Sequence, residues 1–548
     1  MTANLADRLD SWKEIAAFLR RDVRTVQRWE KKEGLPVHRH QHEKLGSVYA
    51  FAGELSQWLN TRQPPATVAG QGKEPDKIKL AVLPFRNLSN SPEDEYFSVG
   101  LTEEMTTQVT RLQPEEMAVI ARATAEHYDS TAGSLERLKK DLGVDYVLEG
   151  NVRRGGSRVR VTARLSEIQD QTQLWAETYE RDLSDLLSVQ AEIAQAVARE
   201  INLVLNLSES NRLSDPQRGR RRVEPSAYDA YLRARYHLHA MTPGEIEISL
   251  EHFKRATQLD SGYAPAHAGL AYAWALLAIS PFDLLPPHEA MPKAESAARK
   301  ALQLDESLAE AHTALALVDH HYHWKWKEAE AGYTRAIELD PNSAPARLWY
   351  SWLLLALGRR NKALTEIDQA MSIVQETDPH RLVSVHAHRA QAYYFGREFE
   401  RAIEECQKAL QLDPNHFMLH YIMGRAYRRL NAGDKAIAHF KAAQKSPGGI
   451  PLVDAVLGLA YAVSGQKEQA QNTVDSLTAS ARKRYIPPTY FGILYAGLGD
   501  KDKALAWLEK AFQERADLLT WLNVEPMMDD VRSDPRFHDL IRRIGLVQ

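Results

Sequence analysis

The 548-residue chain contains a single cysteine, Cys406. One thiol can form neither an internal disulfide nor a cysteine-rich zinc site. No run of about 18 apolar residues occurs, so the sequence predicts no transmembrane helix. The first residues lack a basic segment followed by an apolar core, so we expect no signal peptide. These absences together predict a cytoplasmic protein that does not contact a membrane.

Excess charge and catalytic motifs are lacking as well. The chain has 69 Lys/Arg against 73 Asp/Glu, a formal net charge of −4, so attraction to nucleic acid must come from a local patch. The motifs Gly-x-x-x-x-Gly-Lys-Ser/Thr, His-Glu-x-x-His and Gly-x-Ser-x-Gly do not occur, although phosphate binding, zinc proteolysis and serine hydrolysis commonly use them. We therefore predict no enzymatic activity, no cofactor and no metal.

Two polar segments divide what is present into blocks. Residues 61–77 are rich in proline, glycine and charge and are predicted to form a flexible linker. Residues 208–225 contain an arginine cluster, which fits either a solvated basic linker or an additional phosphate contact. The predicted blocks are 1–60, 78–207, 226–515 and a capping segment 516–548, a number of units that suits the length.

The first block has the pattern of a small helix-turn-helix. Ser11 and Glu14 form a capping box before a first short helix. A second helix is predicted from Asp22, with Val23 and Val26 on its buried side. Two β-prone runs, at 36–40 and 47–51, then predict a hairpin wing. Residues 11–46 hold nine Lys/Arg against five Asp/Glu, so this block is locally basic.

The phrases SWKEIAAFL, DVRTVQRWE, LPVHR and GSVYAF occur in this order and resemble the excisionase/MerR type of winged helix-turn-helix. The resemblance implies that residues 11–60 bind double-stranded DNA, with a second helix reading the major groove and a wing touching the backbone. The residues that would contact DNA are Arg21, Arg24, Thr25, Gln27, Arg28, Lys31, Arg39 and Lys44. A small helical domain with solvated charges is the alternative.

Three histidines, His38, His40 and His42, alternate through the predicted wing and would share one face of a strand. They raise the question of a metal site, but no fourth ligand accompanies them. We therefore do not predict metal binding there.

The middle block, 78–207, alternates strand and helix patterns. An apolar run at 78–85 predicts a buried strand, and the spacing in 96–112 predicts an amphipathic helix. Strands around the Gly155-Gly156 pair form a predicted hairpin. The phrases AVLPFRNLSNSPEDEYFSVGLTEEM, LGVDYVLEGNVRR and LWAETYERDL resemble the TolB N-terminal/FlgO-like family. This resemblance implies a non-catalytic interaction module with a mixed sheet.

The third block is repetitive. A phrase of the type Ala-Leu-x-Leu-Asp ends at Asp260, Asp305, Asp340 and Asp413. Small residues recur at the same places in each unit, as in Ala402, Cys406 and Ala409. These patterns resemble the tetratricopeptide repeat (TPR), with about eight units in 226–515, and imply an all-α superhelical solenoid. We expect an unidentified protein partner on its concave face, and a cap over its last unit that includes Trp521.

The full prediction is a multidomain protein: a small winged helix-turn-helix, an α/β domain with a mixed sheet, and a TPR solenoid. It describes a DNA-binding transcriptional regulator, in which a homodimer or a partner supplies the second half-site because one small module binds weakly. The alternatives are a signalling scaffold that does not bind DNA, associated with a cyclase, and a cyclase-related enzyme. No segment of the chain shows a recognisable cyclase catalytic sequence.

Overall fold

The chain divides into two compact units, Met1–Asp76 and Lys77–Gln548. In the first unit the computed structural model describes residues 8–9, 11–18, 23, 26–27, 30, 35–39, 48–51 and 54–55. In the second it describes residues 78–89, 95–112, 117–120, 128, 132–155, 158–170, 172–182, 185–205, 223–377, 382–445 and 450–546. Linker 61–77, and linker 208–225 up to residue 222, lie outside the described residues.

The described part of the first unit contains one helix, α1 (Trp12–Phe18), and three strands, β1 (Arg8–Leu9), β2 (His38–Arg39) and β3 (Val48–Phe51). The strands form an antiparallel sheet in the order β1-β3-β2. The two β-prone runs therefore pair as the sequence predicts, and β1 adds a strand that the sequence reading did not foresee.

Helix α1 begins at a side-chain cap, since the backbone N–H of Glu14 donates to Ser11 Oγ over 3.2 Å. This bond satisfies one of the four free N–H groups at the start of a helix. Residues 23, 26–27 and 30 are also helical. Ile15, Val26 and Leu55 are fully buried and belong to one small core.

The described part of the second unit opens with a mixed sheet and three helices. Its strands are β4 (Ile78–Val82), β5 (Arg86–Asn87), β6 (Met117–Ile120), β7 (Tyr146–Gly155), β8 (Arg158–Glu167) and β9 (Thr172–Asp182), and its helices are α2 (Glu95–Leu112), α3 (Ala132–Leu142) and α4 (Leu186–Leu205). The strand order is β6-β4-β7-β8-β9, with β5 beside β7. Pairs involving β4 and β5 are parallel, whereas β7-β8 and β8-β9 are antiparallel. The predicted mixed sheet is confirmed.

Helix α2 shows why the apolar spacing matters. Phe97, Leu101, Met105 and Val109 recur every four residues, so they share one side of the helix, and each is at most 1% exposed. Together with α4 they cover one face of the sheet, where alternate residues of β7 and β8 point into the same core.

Helical pairs make up the described residues from 225 to 514. The first helices of the pairs are α5 (Pro225–His239), α7 (Ala264–Leu276), α9 (Ala309–Val318), α11 (Ala344–Ala356), α13 (Leu382–Phe395), α15 (Phe417–Arg429), α17 (Pro451–Val463) and α19 (Pro488–Gly497). The second helices are α6 (Pro243–Leu259), α8 (Pro287–Leu304), α10 (Trp326–Leu339), α12 (Arg360–Thr377), α14 (Phe399–Leu410), α16 (Gly433–Gln444), α18 (Lys467–Ala481) and α20 (Lys501–Glu514). The predicted helical solenoid is confirmed.

Close contact between the two helices of a pair depends on small residues. A Cβ atom on Gly424 of α15 would lie 2.5 Å from the ring of Phe440 in α16, far inside the van der Waals distance. Adjacent pairs also approach closely, since a Cβ atom on Gly269 of α7 would lie 2.3 Å from the ring of Phe253 in α6. The predicted small residues, such as Ala402 and Ala409, are fully buried. None of the helices that the structure describes is long and apolar enough to span a bilayer.

The sheet and the solenoid share one core. Helix α5 packs against α2, and Leu232 of α5 is buried in the same cluster as Met105 and Val189 of the sheet domain. Later in the array, α12 contacts the edge strand β6. The second unit is therefore a continuous body in which the solenoid begins on the helices that cover the sheet.

Two short helices and two short 3₁₀ turns complete the chain. They are the turns Asp517–Trp521 and Pro526–Met528, then α21 (Asp529–Arg532) and α22 (Pro535–Ile544). Residues 516–546 are called the tail below.

Candidate functional site

The structure describes two of the eight residues predicted to contact DNA. Gln27 is helical and half-buried. Arg39 lies on β2, where its guanidinium is 2.7 Å from a carboxylate oxygen of Glu30. Because the Arg39 side chain is still 58% exposed, it remains accessible from solvent while Glu30 limits its orientation. Arg21, Arg24, Thr25, Arg28, Lys31 and Lys44 lie outside the described residues.

Of the three wing histidines, only His38 falls in the described part of the chain. Its Nε2 lies 2.6 Å from Glu54 Oε2, and its ring stacks on Tyr49 with 5.1 Å between centroids. Within the described residues no group of three or more His, Cys, Asp or Glu side chains is arranged to hold a metal ion. His38 thus ties the wing to residue 54 of the same unit.

Two acidic residues in the middle of α2 contact the solenoid. Glu104 accepts a hydrogen bond from the Tyr231 hydroxyl over 2.9 Å, and Arg235 lies 3.3 Å from Glu104 and 3.6 Å from Glu103. Both acids are therefore paired with groups of the solenoid. They join α2 to α5.

A second network joins β7 to the same helix. Asp229 of α5 accepts hydrogen bonds from Tyr96 and Arg154 and pairs with Arg233 over 3.1 Å. Burial alone would raise the pKa of Asp229, but the hydrogen bond from Tyr96 and the charge of Arg154 together hold it below its usual range. Burial and the nearby carboxylate raise the pKa of Tyr96 to about 12. These contacts fix the sheet domain on the first repeat.

The inner face of the solenoid is the other prominent surface. First helices of successive pairs contact one another along the array, an arrangement that places them on the concave side of a TPR superhelix. Residues 517–529 of the tail lie on this side, whereas α22 contacts α20, the second helix of the last pair. Trp521 stacks on Phe395 of α13 with centroids 5.5 Å apart and meets Trp352 of α11 edge-on at 4.8 Å.

Acidic residues of the tail are bound by cations and hydrogen-bond donors of the inner helices. Glu525 pairs with Arg425 of α15 and accepts from the Tyr394 hydroxyl over 2.9 Å. Asp529 binds both guanidinium nitrogens of Arg397, at 2.7 and 2.8 Å. Because these contacts come from α13, α15 and the loop after α13, the tail is held by the middle of the array.

Asp517 attaches the tail to earlier repeats. Its carboxylate lies 2.5 Å from His321 Nδ1 and accepts from the backbone N–H of Ser280 over 3.0 Å. His321 belongs to a short π-helical turn, Asp319–His323, that follows α9. Such turns insert one residue into a helix and often occur at functional sites.

Next to His321, the ring of His320 is fully buried and neither of its nitrogens has a hydrogen-bond partner among the described residues. Aromatic rings surround it, and burial together with His321 lowers its pKa well below the usual range. Aromatic side chains therefore pack this turn, with Trp326, Tyr333 and Trp521 against His320.

Two expectations about the concave face therefore change. Trp521 does not cover the last repeat but packs on α11 and α13, and the inner face of the middle repeats is filled by the chain itself. The anchors Asp517, Trp521, Glu525 and Asp529 are spaced four residues apart. That regular spacing of acidic and aromatic residues was the signal that the sequence reading missed.

Comparison with protein families divides the second unit in the same way. Residues 76–196 match the HilA/YgeH-like transcriptional regulator, second domain. Residues 325–384 and 383–416 match tetratricopeptide repeats. The TPR prediction is confirmed. The sheet domain matches that of a HilA/YgeH-like regulator, whereas its likeness to TolB and FlgO and the winged helix remain predictions.

Individual relatives cover parts of the chain. It is 32% identical over 260 residues to a Rhizobium meliloti (strain 1021) protein named Putative adenylate cyclase 3, covering 47% of this chain and 43% of that protein. It is 22% identical over 340 residues to the transcriptional regulator HilA of Salmonella typhimurium (strain LT2), covering 61% and 56%.

Among solved structures, PilF of Pseudomonas aeruginosa matches 41% of this chain and 94% of its own, with 20% identity and a TM-score of 0.31. The chain spans about half the length of the curated relatives it matches. It contains a HilA/YgeH-like regulator domain followed by TPR repeats.

Proposed function

We propose that this chain is a transcriptional regulator that binds duplex DNA through residues 11–60 and uses its TPR body to bind proteins. The observation that carries the proposal is the match of residues 76–196 to the second domain of HilA/YgeH-like transcriptional regulators. A basic, helix-turn-helix-like segment lies directly before the matched region in the sequence, as a regulator that reads DNA requires.

The proposed DNA binding depends on local charge. The chain as a whole is slightly acidic, so affinity for DNA depends on the cations of the first block. The proposal also includes a cytoplasmic location, the absence of catalysis, and a dimer that supplies the second half-site on DNA. Because part of the tail occupies the inner face of the middle repeats, the proposal assigns protein binding to other surfaces of the TPR body.

The test is a gel-shift titration of the full chain on a random-sequence duplex at low salt. The double variant Arg24→Ala with Arg28→Ala should lose most binding, and its salt slope should fall by about one unit for each phosphate contact removed. A matched control, Arg482→Ala with Lys483→Ala, removes the same charge from exposed positions in the solenoid and should bind normally. Equal binding by the double variant and the wild type would exclude the proposed recognition helix.

A signalling scaffold is the second candidate, because 47% of the chain resembles a protein named as an adenylate cyclase. In this alternative the first block binds protein and the full chain fails to retard duplex DNA even at low salt. Purified chain with ATP and Mg²⁺ should form no cyclic AMP in either case. Detectable cyclic AMP would contradict both candidates.

A further inference from the structure

One face of the mixed sheet is only partly covered. Helix α3 packs on it through Leu138, against Ala81 of β4 and Val147 of β7. Beyond that contact the alternate residues of β7, β8 and β9 are mostly exposed. This open face consists of Glu149, Asn151 and Arg153 of β7, Arg158, Arg160, Thr162 and Arg164 of β8, and Ala176, Thr178, Glu180 and Asp182 of β9.

Arginines are concentrated at the centre of the open face. Arg153 and Arg160 lie directly opposite each other across β7 and β8, while Arg160 also lies opposite Glu180 of β9 and Arg164 lies opposite Glu149 of β7. All three arginines are exposed, and within the described part of the chain no ion pair reaches any of them. Like charges directly opposite one another destabilise a sheet, so the opposition of Arg153 and Arg160 favours a bound anion.

The edge of the face differs from its centre. On β9, Glu180 is 3.4 Å from Arg158, with both side chains more than half exposed. Thr162 and Thr178 face each other with their hydroxyls 3.2 Å apart. Hydroxyls and guanidinium groups on one surface are the donors that proteins use to bind phosphate oxygens.

The chemistry of the face selects among polyanions. Single-stranded nucleic acid is usually held by aromatic rings that stack on its bases. The described positions of the open face include no aromatic ring. The open face therefore suits the regular phosphate backbone of a nucleic acid best, because that backbone is bound through charge and needs no stacking on bases.

We propose that the open face binds the phosphate backbone of duplex DNA, as a second contact beside that of residues 11–60. The inference rests on the proposed function, which supplies the duplex. One small DNA-binding module buries only about 600–1,000 Å². A second contact on the same chain raises its effective concentration near DNA without any new partner.

The experiment measures binding of the full chain to a fluorescein-labelled 30-base-pair random duplex between about 50 and 200 mM salt. The triple variant Arg153→Gln, Arg160→Gln and Arg164→Gln should bind about tenfold more weakly near 100 mM, with a salt slope smaller by about 2–3 units. The control Arg255→Gln, Arg482→Gln and Lys483→Gln removes the same charge from exposed sites outside the open face and should keep the wild-type slope.

A second variant, with the opposite expected effect, distinguishes the loss of a DNA contact from a folding defect. Glu180→Gln removes the acid beside Arg158 and should strengthen binding by about twofold, which damage to the sheet cannot do. Wild-type binding by the triple variant would overturn the inference. If Arg24→Ala with Arg28→Ala still loses binding in that case, the proposed function survives.

Two other outcomes are decisive. If the triple variant loses affinity for single-stranded poly(U) RNA but not for the duplex, the face binds RNA and the inference for DNA fails. If the wild-type chain does not bind the duplex at 50 mM salt, the proposed function falls and this inference falls with it.

Discussion

The open face of the sheet and the inner face of the solenoid both contain arginine, but they differ in whether a described residue forms an ion pair with it. Arg425 on the inner face is 3% exposed and is paired with Glu525. Arg153, Arg160 and Arg164 on the open face are exposed and have no ion-pair partner in the described part of the chain. A buried cation must be compensated from within, whereas an exposed one can be left for a ligand.

The two groups of arginines differ in their roles, because Arg425 is structural and the open-face arginines are proposed to bind a ligand. Burial alone would lower the pKa of Arg425, but Glu525, Tyr421 and Tyr394 outweigh it and raise the pKa above its ordinary value. Arg425 therefore stays charged inside the protein and holds the tail. The open-face arginines take part in no ion pair within the described part of the chain, so their charge is available to a ligand.

The largest effect is expected from breaking the buried pair. Arg425→Ala leaves Glu525 as an uncompensated buried carboxylate, and removing one partner of such a pair costs about 3–5 kcal/mol. Urea denaturation followed by circular dichroism measures this loss. Arg482→Ala, at an exposed position, is the control and should change stability by less than about 0.5 kcal/mol. A loss below about 1 kcal/mol for Arg425→Ala would show that water reaches the pair.

How much of this could be read from the sequence depends on the range of the contacts. The repeats and α2 follow from local periodicity, since Ala402 and Phe97 repeat their surroundings every few residues. The mixed sheet also followed, because its strands alternate with helices along the chain. The pairing of Arg425 with Glu525 did not, because a hundred residues separate the partners and neither belongs to a local pattern.

Asp283, a buried acid without a nearby cation among the described residues, is intermediate between the buried pair of Arg425 with Glu525 and the exposed arginines of the open face. Asp283 is 6% exposed and accepts a hydrogen bond from the Tyr490 hydroxyl. In the described part of the chain no cation lies within ion-pair distance of it. Burial, together with the charge of Asp517, raises the pKa of Asp283 to about 8. Asp283 therefore keeps its proton at neutral pH, whereas Glu525 faces the guanidinium of Arg425.

This shift predicts how stability depends on pH. Unfolded aspartate has a pKa of about 3.9, so the stability that neutral Asp283 contributes is complete below pH ~4 and is lost as the pH rises towards about 8. Asp283→Asn cannot ionise, and it should remove a slope of up to about 1.4 kcal/mol per pH unit. Urea denaturation at pH 5, 6, 7 and 8 measures the difference.

The exposed Asp475→Asn is the control for this measurement and should keep the wild-type slope. Parallel stability profiles for wild type and Asp283→Asn would mean that Asp283 ionises freely in the folded chain. Asp283 would then no longer be an intermediate case between the buried ion pair and the exposed arginines.

Prediction of the candidate sites was limited for a physical reason. The open-face arginines are visible in the phrases NVRR and RVRVTARL, and alternation along a strand could have placed them on one side. What the sequence could not supply is the register that sets Arg153 opposite Arg160, or the fact that α3 stops short of them. Both depend on tertiary packing.

The smallest effect is expected from the open face itself. Arg153→Gln removes the opposed pair of Arg153 with Arg160 and leaves Arg160 opposite Glu180 and Arg164 opposite Glu149. It should change the free energy of unfolding by no more than about 0.5 kcal/mol, as for other exposed positions. Removing the opposed pair relieves repulsion, so any change should be a gain at low salt. That gain should vanish near 1 M salt, where the screening length falls to about 3 Å. Thermal melting at both salt concentrations measures it, and a clear loss of stability at low salt would mean that these arginines hold the sheet together, contrary to the contrast with Arg425.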